Sequence, residues 1–95
     1  MLFRYKKAYL KKFDSFKPAE KELVISADRQ IRHYYVARVS PYGLRIKKLY
    51  SDNSANIFEA RVSDKIRIIW VHSGSLVSFA FLGSHDEAKR YIKSI

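Results

Sequence analysis

Along the first half of the chain, apolar side chains return every three or four positions. Tyr5, Tyr9, Phe13 and Phe16 recur at this spacing, with Lys6, Lys7, Lys11 and Lys12 on the other side. The pattern predicts an amphipathic helix, with room for a short strand at residues 2–5 before it. Pro18 suits the first turn of a second helix, since its missing N–H would be unpaired there anyway. Leu23, Val24, Ala27, Ile31, Tyr34 and Tyr35 form the apolar stripe of that helix, which runs to about Val39. Two adjacent helices joined by a short turn read as a helical hairpin. The run Ser40-Pro41-Tyr42-Gly43 closes this half. Beyond Pro41 the period drops to two. Residues 44–49 are basic and alternate weakly, and residues 51–56 form a polar loop. Residues 57–62 alternate cleanly, with Phe58, Ala60 and Val62 on one face and Ile57, Glu59 and Arg61 on the other. Ser63-Asp64-Lys65 is a turn, 66–71 a second strand, 72–75 another turn, and 76–82 a third strand with Val77, Phe79 and Phe81 on one side. Ser84 and Glu87 stand in capping-box spacing, so a last helix starts there and runs to about Ile95, turning Ala88, Tyr91, Ile92 and Ile95 inward. The predicted order is β-α-α-β-β-β-α, an α+β fold with a helical hairpin packed on a small antiparallel sheet.

Composition narrows the function classes. A chain of 95 residues is one small domain, residues 1–95, because half that length buries too little apolar surface to fold. At 47% apolar residues it is not disordered. With no cysteine there is no disulfide framework, thiolate metal site or cysteine nucleophile. The first residues lack the apolar stretch of a signal peptide, and no run is long enough to span a membrane, so the expectation is a soluble cytoplasmic protein. Nineteen basic against nine acidic residues leave a net charge of +10, unevenly spread: residues 1–50 hold 13 basic and four acidic side chains, residues 51–95 six and five. A partner that is a polyanion follows, whether nucleic acid, an acidic protein or an anionic surface.

Several side chains stand out chemically. Arg67 interrupts the apolar run Ile66, Ile68, Ile69 and Trp70, a costly place for a guanidinium unless an anion or a carboxylate meets it. The plain reading is an ion pair with Glu59 or Asp64, and for Arg61 a pair with Glu59. The functional reading is that the two arginines, on paired strands, present two planar donor forks to a phosphate. His85 opens the last helix, a position from which an imidazole can act as general base near neutral pH. His33 and His72 have weaker claims. Arg45, Lys47 and Lys48 lead from the basic half into the sheet and extend a groove for a sugar-phosphate backbone. No histidines or carboxylates have metal-ligand spacing, and there is no glycine-rich phosphate loop, so neither a metal nor a cofactor is expected. Arg, Lys and His alone suffice for RNA cleavage in which the substrate's 2′-OH attacks the adjacent phosphate.

The stretch from Asn56 through Glu59-Ala60-Arg61-Val62, Ile66-Arg67-Ile68 and on to Gly83-Ser84-His85-Asp86-Glu87-Ala88 resembles the RelE/ParE superfamily of bacterial type II toxins, most nearly its RelE-like branch. The motifs cover residues 44–88, and the element order extends the likeness to the whole chain. The resemblance implies a toxin that is an endoribonuclease cleaving mRNA, often in the ribosomal A site, neutralised by an acidic antitoxin. It assigns Arg67 to the scissile phosphate, Arg61 to the preceding strand's arginine, and His85 to proton transfer. The family's tyrosine four residues after the histidine is Lys89 here, a candidate acid or phosphate contact, and Tyr91 lies too far around the helix to replace it. Some members of the superfamily inhibit DNA gyrase instead, which is the alternative reading.

Overall fold

The change of hydrophobic period marks where the chain passes from helices into sheet. The computed structural model describes residues 1–39 and 43–95. In it the order is β1 (Leu2–Tyr5), α1 (Lys7–Asp14), α2 (Pro18–Ala37), β2 (Lys47–Ser51), β3 (Asn56–Ser63), β4 (Ile66–Ser73), β5 (Leu76–Gly83) and α3 (His85–Ser94). The strands form one five-stranded sheet in the order β1-β5-β4-β3-β2. The predicted order lacked β2, whose side chains are exposed apart from Leu49, so its alternation is weak. Its lysines suit an edge strand, where charge discourages pairing with another chain. The sheet is mixed rather than purely antiparallel, because β1 pairs parallel with β5. Tyr5 belongs to that strand and not to α1. The closing run Ser40-Pro41-Tyr42 lies outside the described residues. Before it, α2 ends at Ala37, short of Val39, where Arg38 turns left-handed at φ 60°.

One face of the sheet carries the main core. Tyr9 of α1 and Val24, Ala27, Ile31 and Tyr35 of α2 pack on Ala60, Ile68, Trp70, Val77, Phe79 and Leu82. The α2 positions are spaced three and four apart, as one buried helical stripe requires, each large side chain contributing roughly 1.5–3 kcal/mol. Leu23, expected in that stripe, is exposed. The Trp70 indole N–H donates to the Tyr35 hydroxyl at 2.9 Å, so the largest buried side chain keeps its polar atom paired. As the alternation predicted, Phe58, Ala60 and Val62 face this core.

The opposite face is covered only in part, by α3. Along β5 the register slips between Ile69 and Trp70 of the partner strand: Ile69 faces Phe81 while Trp70 faces Phe79. The extra residue, Ala80, is a β-bulge, and it reverses the side on which later residues point. Phe81 therefore does not share a face with Val77 and Phe79. It stacks on Tyr91 of α3, ring centroids 4.9 Å apart. Within α3, Ala88 is buried and Tyr91 and Ile92 are half-buried, but Ile95 is exposed, against expectation. His72 lies in β4 rather than in a turn, edge-on to Tyr35. No helix among the described residues is long and apolar enough to cross a membrane.

Candidate active site

Strand register decides which charged side chains meet. Opposed residues of antiparallel neighbours share a face. Lys47 opposes Glu59, Arg61 opposes Arg67, and Arg67 opposes Gly83. All belong to the face that Ile69 and Phe81 share with α3, which leaves this end of it open. Gly83 adds no side chain beside Arg67. Two residues on, His85 begins α3. The Arg61 amide donates to the Leu44 carbonyl at 2.7 Å, which draws the 44–46 segment alongside β3. Arg45 adopts a left-handed φ of 47° there, uncommon for a side chain with a Cβ. Arg45, Lys47, Glu59, Arg61, Arg67 and His85 thus line one open cleft of about 240 Å³.

Four cations converge on this cleft with a single carboxylate in its lining. Arg67 is only 9% exposed. Its Nη1 donates to the Ser63 carbonyl at 2.6 Å, with longer contacts of 3.4 Å to the carbonyls of Asp64 and Ile66. The expected ion pair of Arg67 with Glu59 or Asp64 is not formed. Backbone carbonyls of the β3–β4 turn fix the guanidinium by one nitrogen, and its other donors make no hydrogen bond among the described residues. Arg61 pairs with Asp64 and not with Glu59. Glu59, 8% exposed, is met by Lys47 at 3.6 Å. A buried carboxylate needs such a partner, and in turn it fixes the ammonium group and offsets part of the local repulsion.

Of the residues singled out in the sequence, Lys48 and Lys89 stand apart from the cleft. Lys48 opposes Phe58 and lies over its ring, 5.9 Å from the centroid, on the opposite face of the sheet. Lys89 is exposed one helical turn beyond His85, outside the lining. Tyr91 is engaged with Phe81. Sequence reasoning treated Glu59 only as a pairing partner, and its two-residue spacing from Arg61 on an alternating strand was the signal that it faces the cleft. Two further grooves are far more apolar. One lies between α1 and α2 around Tyr9, Leu10 and Ile25, the other between Tyr50 and Ile57 of the sheet and Ile92 and Ile95. Neither includes an arginine, lysine or histidine.

The first turn of α3, which carries His85, is tightly tied. The Ser84 hydroxyl accepts from the Glu87 amide at 3.1 Å, and Glu87 Oε1 accepts from the Ser84 amide at 2.8 Å, completing the predicted capping box. Glu87 Oε2 also meets Lys12 of α1 at 3.3 Å. The Ser84 amide, then Lys12, hold the Glu87 carboxyl below the usual carboxylate range.

No protein-family model and no curated protein sequence matches the chain. Solved structures do. The archaeal RelE–RelB complex from Pyrococcus horikoshii OT3 contains a chain that superposes with a TM-score of 0.71 at 16% identity, covering 87% of this chain and 92% of that one. A copper-bound mutant toxin from Helicobacter pylori superposes with a TM-score of 0.67 at 15% identity, covering 92% of this chain and 97% of its own. With a helical hairpin on one face of the sheet and a cationic cleft at the open end of the other, the chain has the fold of the RelE-like toxins.

Proposed function

We propose that the protein is the toxin of a toxin–antitoxin pair, acting as a metal-independent endoribonuclease on mRNA engaged with the ribosome. The observation that carries this reading is the cleft where Arg45, Lys47, Arg61, Arg67 and His85 meet. RNA supplies its own nucleophile. His85 takes the proton of the 2′-OH, whose oxygen attacks the adjacent phosphorus. The P–O5′ bond breaks, and the departing 5′-oxygen takes a proton from water at the open mouth. The products are a 2′,3′-cyclic phosphate and a 5′-hydroxyl. Charge builds on the non-bridging oxygens as the phosphorus becomes five-coordinate, and the remaining donors of Arg67 and of Arg61, beyond the nitrogen that meets Asp64, stabilise it there. Arg45 and Lys47 hold the flanking backbone. The acidic partner expected from the family resemblance meets the same excess of positive charge that attracts RNA.

The test is inducible expression in a bacterium with mapping of transcript 5′ ends, for the wild type and for Arg67→Ala and His85→Ala. In-frame cuts within coding regions that vanish in both variants support the reading. Intact transcripts with an induced DNA-damage response support the gyrase-inhibiting alternative, and scattered cuts support a nuclease acting on free RNA. Co-purification with the product of an adjacent short open reading frame tests the antitoxin.

A further inference from the structure

His85 is held by a helix whose polar ties to the body of the protein sit at its N-terminus. Ala88 is the only fully buried residue of α3 among those described. Beyond it, the Tyr91–Phe81 stack and the ties at the helix N-terminus hold the element. Those ties converge on one side chain. Glu87 closes the capping box through Oε1 and reaches across to Lys12 through Oε2. Its Oε1 sits so close that a Cβ at Gly83 would lie 2.9 Å away, and 2.6 Å from the Phe81 ring. The strand end, the helix start and α1 are thereby locked together around the residue next to His85.

We infer that Lys12 and Glu87 are positioning residues for His85: their ion pair pins the first turn of α3 to α1 and so fixes the imidazole over the cleft. This rests on the RNA-cleavage reading above. The pair is half-exposed, at 35% and 38%, so its contribution to global stability is small. Its effect falls on geometry, where displacement of a proton-transfer group by about 1 Å can cost up to about 100-fold in rate. Lys12 lies on the basic face of the helical hairpin, remote in sequence from the cleft, and neither composition nor family motif assigns it a task.

The experiment compares wild type with Lys12→Met, Lys12→Arg and Glu87→Gln on programmed ribosomes and on a short RNA. Glu87→Gln keeps a carbonyl oxygen to accept from the Ser84 amide and removes only the charge that faces Lys12. We expect kcat to fall about 10-fold in Lys12→Met and Glu87→Gln. KM should stay within about twofold, because phosphate binding is left intact. Lys12→Arg should restore the rate. In parallel, the His85 ring resonances, read by NMR, should shift or broaden in Lys12→Met and Glu87→Gln and return in Lys12→Arg, while the urea midpoint barely moves. Unchanged kcat in both variants of an active enzyme overturns the inference, as does a rate loss that tracks loss of stability. If the wild type cuts nothing, the RNase reading fails by itself, and the NMR arm still decides: unmoved His85 resonances overturn the positioning role, and shifted ones support it.

Discussion

Arg67 serves two ends at once. Its Nη1 ties the β3–β4 turn through the Ser63 carbonyl, while the rest of the fork, without a hydrogen bond among the described residues, can meet an anion. Arg67→Lys keeps the charge and loses the planar fork, so its cost should fall mainly on cleavage. Arg67→Ala should in addition destabilise the fold by about 1 kcal/mol, since the half-buried Ser63 carbonyl loses its partner. Urea unfolding beside a cleavage assay separates the two effects, and the idea fails if the Arg67→Lys variant cleaves at the wild-type rate. Arg45 points the other way. Its left-handed φ of 47° costs about 1–2 kcal/mol for a residue with a Cβ. Arg45→Gly should therefore raise stability by about 1 kcal/mol while weakening RNA binding. A drop in stability would show that the Arg45 side chain contributes packing that outweighs its backbone strain.

At the scale of elements, α3 buries one residue fully, Ala88, and the Tyr91–Phe81 stack adds to its hold on the sheet. Tyr91→Leu should cost about 0.5–1.5 kcal/mol beyond the area it no longer buries. Hydrogen exchange should quicken across α3 while protection in β3, β4 and β5 is kept, and uniform loss of protection would contradict the partial independence of this helix. How Phe81 comes to face Tyr91 also explains what the sequence could not disclose. Strict alternation puts Val77, Phe79 and Phe81 on one side, and a single bulged residue, Ala80, moves Phe81 to the other. A bulge depends on the partner strand's register, which no period within β5 reports. The edge strand β2 escaped for a related reason: Lys47 and Lys48 lie on opposite faces yet are both exposed lysines, so the alternation that marks a half-buried strand is weak. The capping box at Ser84, the alternation of β3 and the paired arginines were legible because each depends on near neighbours in sequence. Glu59's place among the cations depended on the pairing of β2 with β3, and the Lys12–Glu87 tie spans 75 residues of chain.

For the molecule as a whole, the excess charge of +10 and the buried tyrosines set its response to alkali. Burial pushes the hydroxyls of Tyr5 and Tyr9 far above their ordinary value of 10.0, Tyr5 further through its hydrogen bond to Asp28 and Tyr9 through the nearby Asp28 charge. Burial raises Tyr35 and Tyr91 as well. In the unfolded chain these phenols lose their protons near pH 10, whereas in the folded protein they keep them to higher pH. The folded state then binds more protons than the unfolded state, so stability is fully present below about pH 10 and is lost as pH rises beyond it. Salt screens the repulsion within the excess positive charge and so isolates this effect. In high salt, ultraviolet titration should therefore show the phenolate signal of Tyr5, Tyr9 and Tyr35 appearing in one cooperative step, coincident with loss of far-ultraviolet circular dichroism. Asp28→Asn should move that step to higher pH if the cost of burying its charge beside Tyr5 and Tyr9 exceeds what Arg32, 3.5 Å away, returns. Gradual titration of all the tyrosines near pH 10 with the circular dichroism intact would mean that the core between α1, α2 and the sheet admits hydroxide without unfolding, and that its phenols are less sequestered than their packing against Phe79 requires.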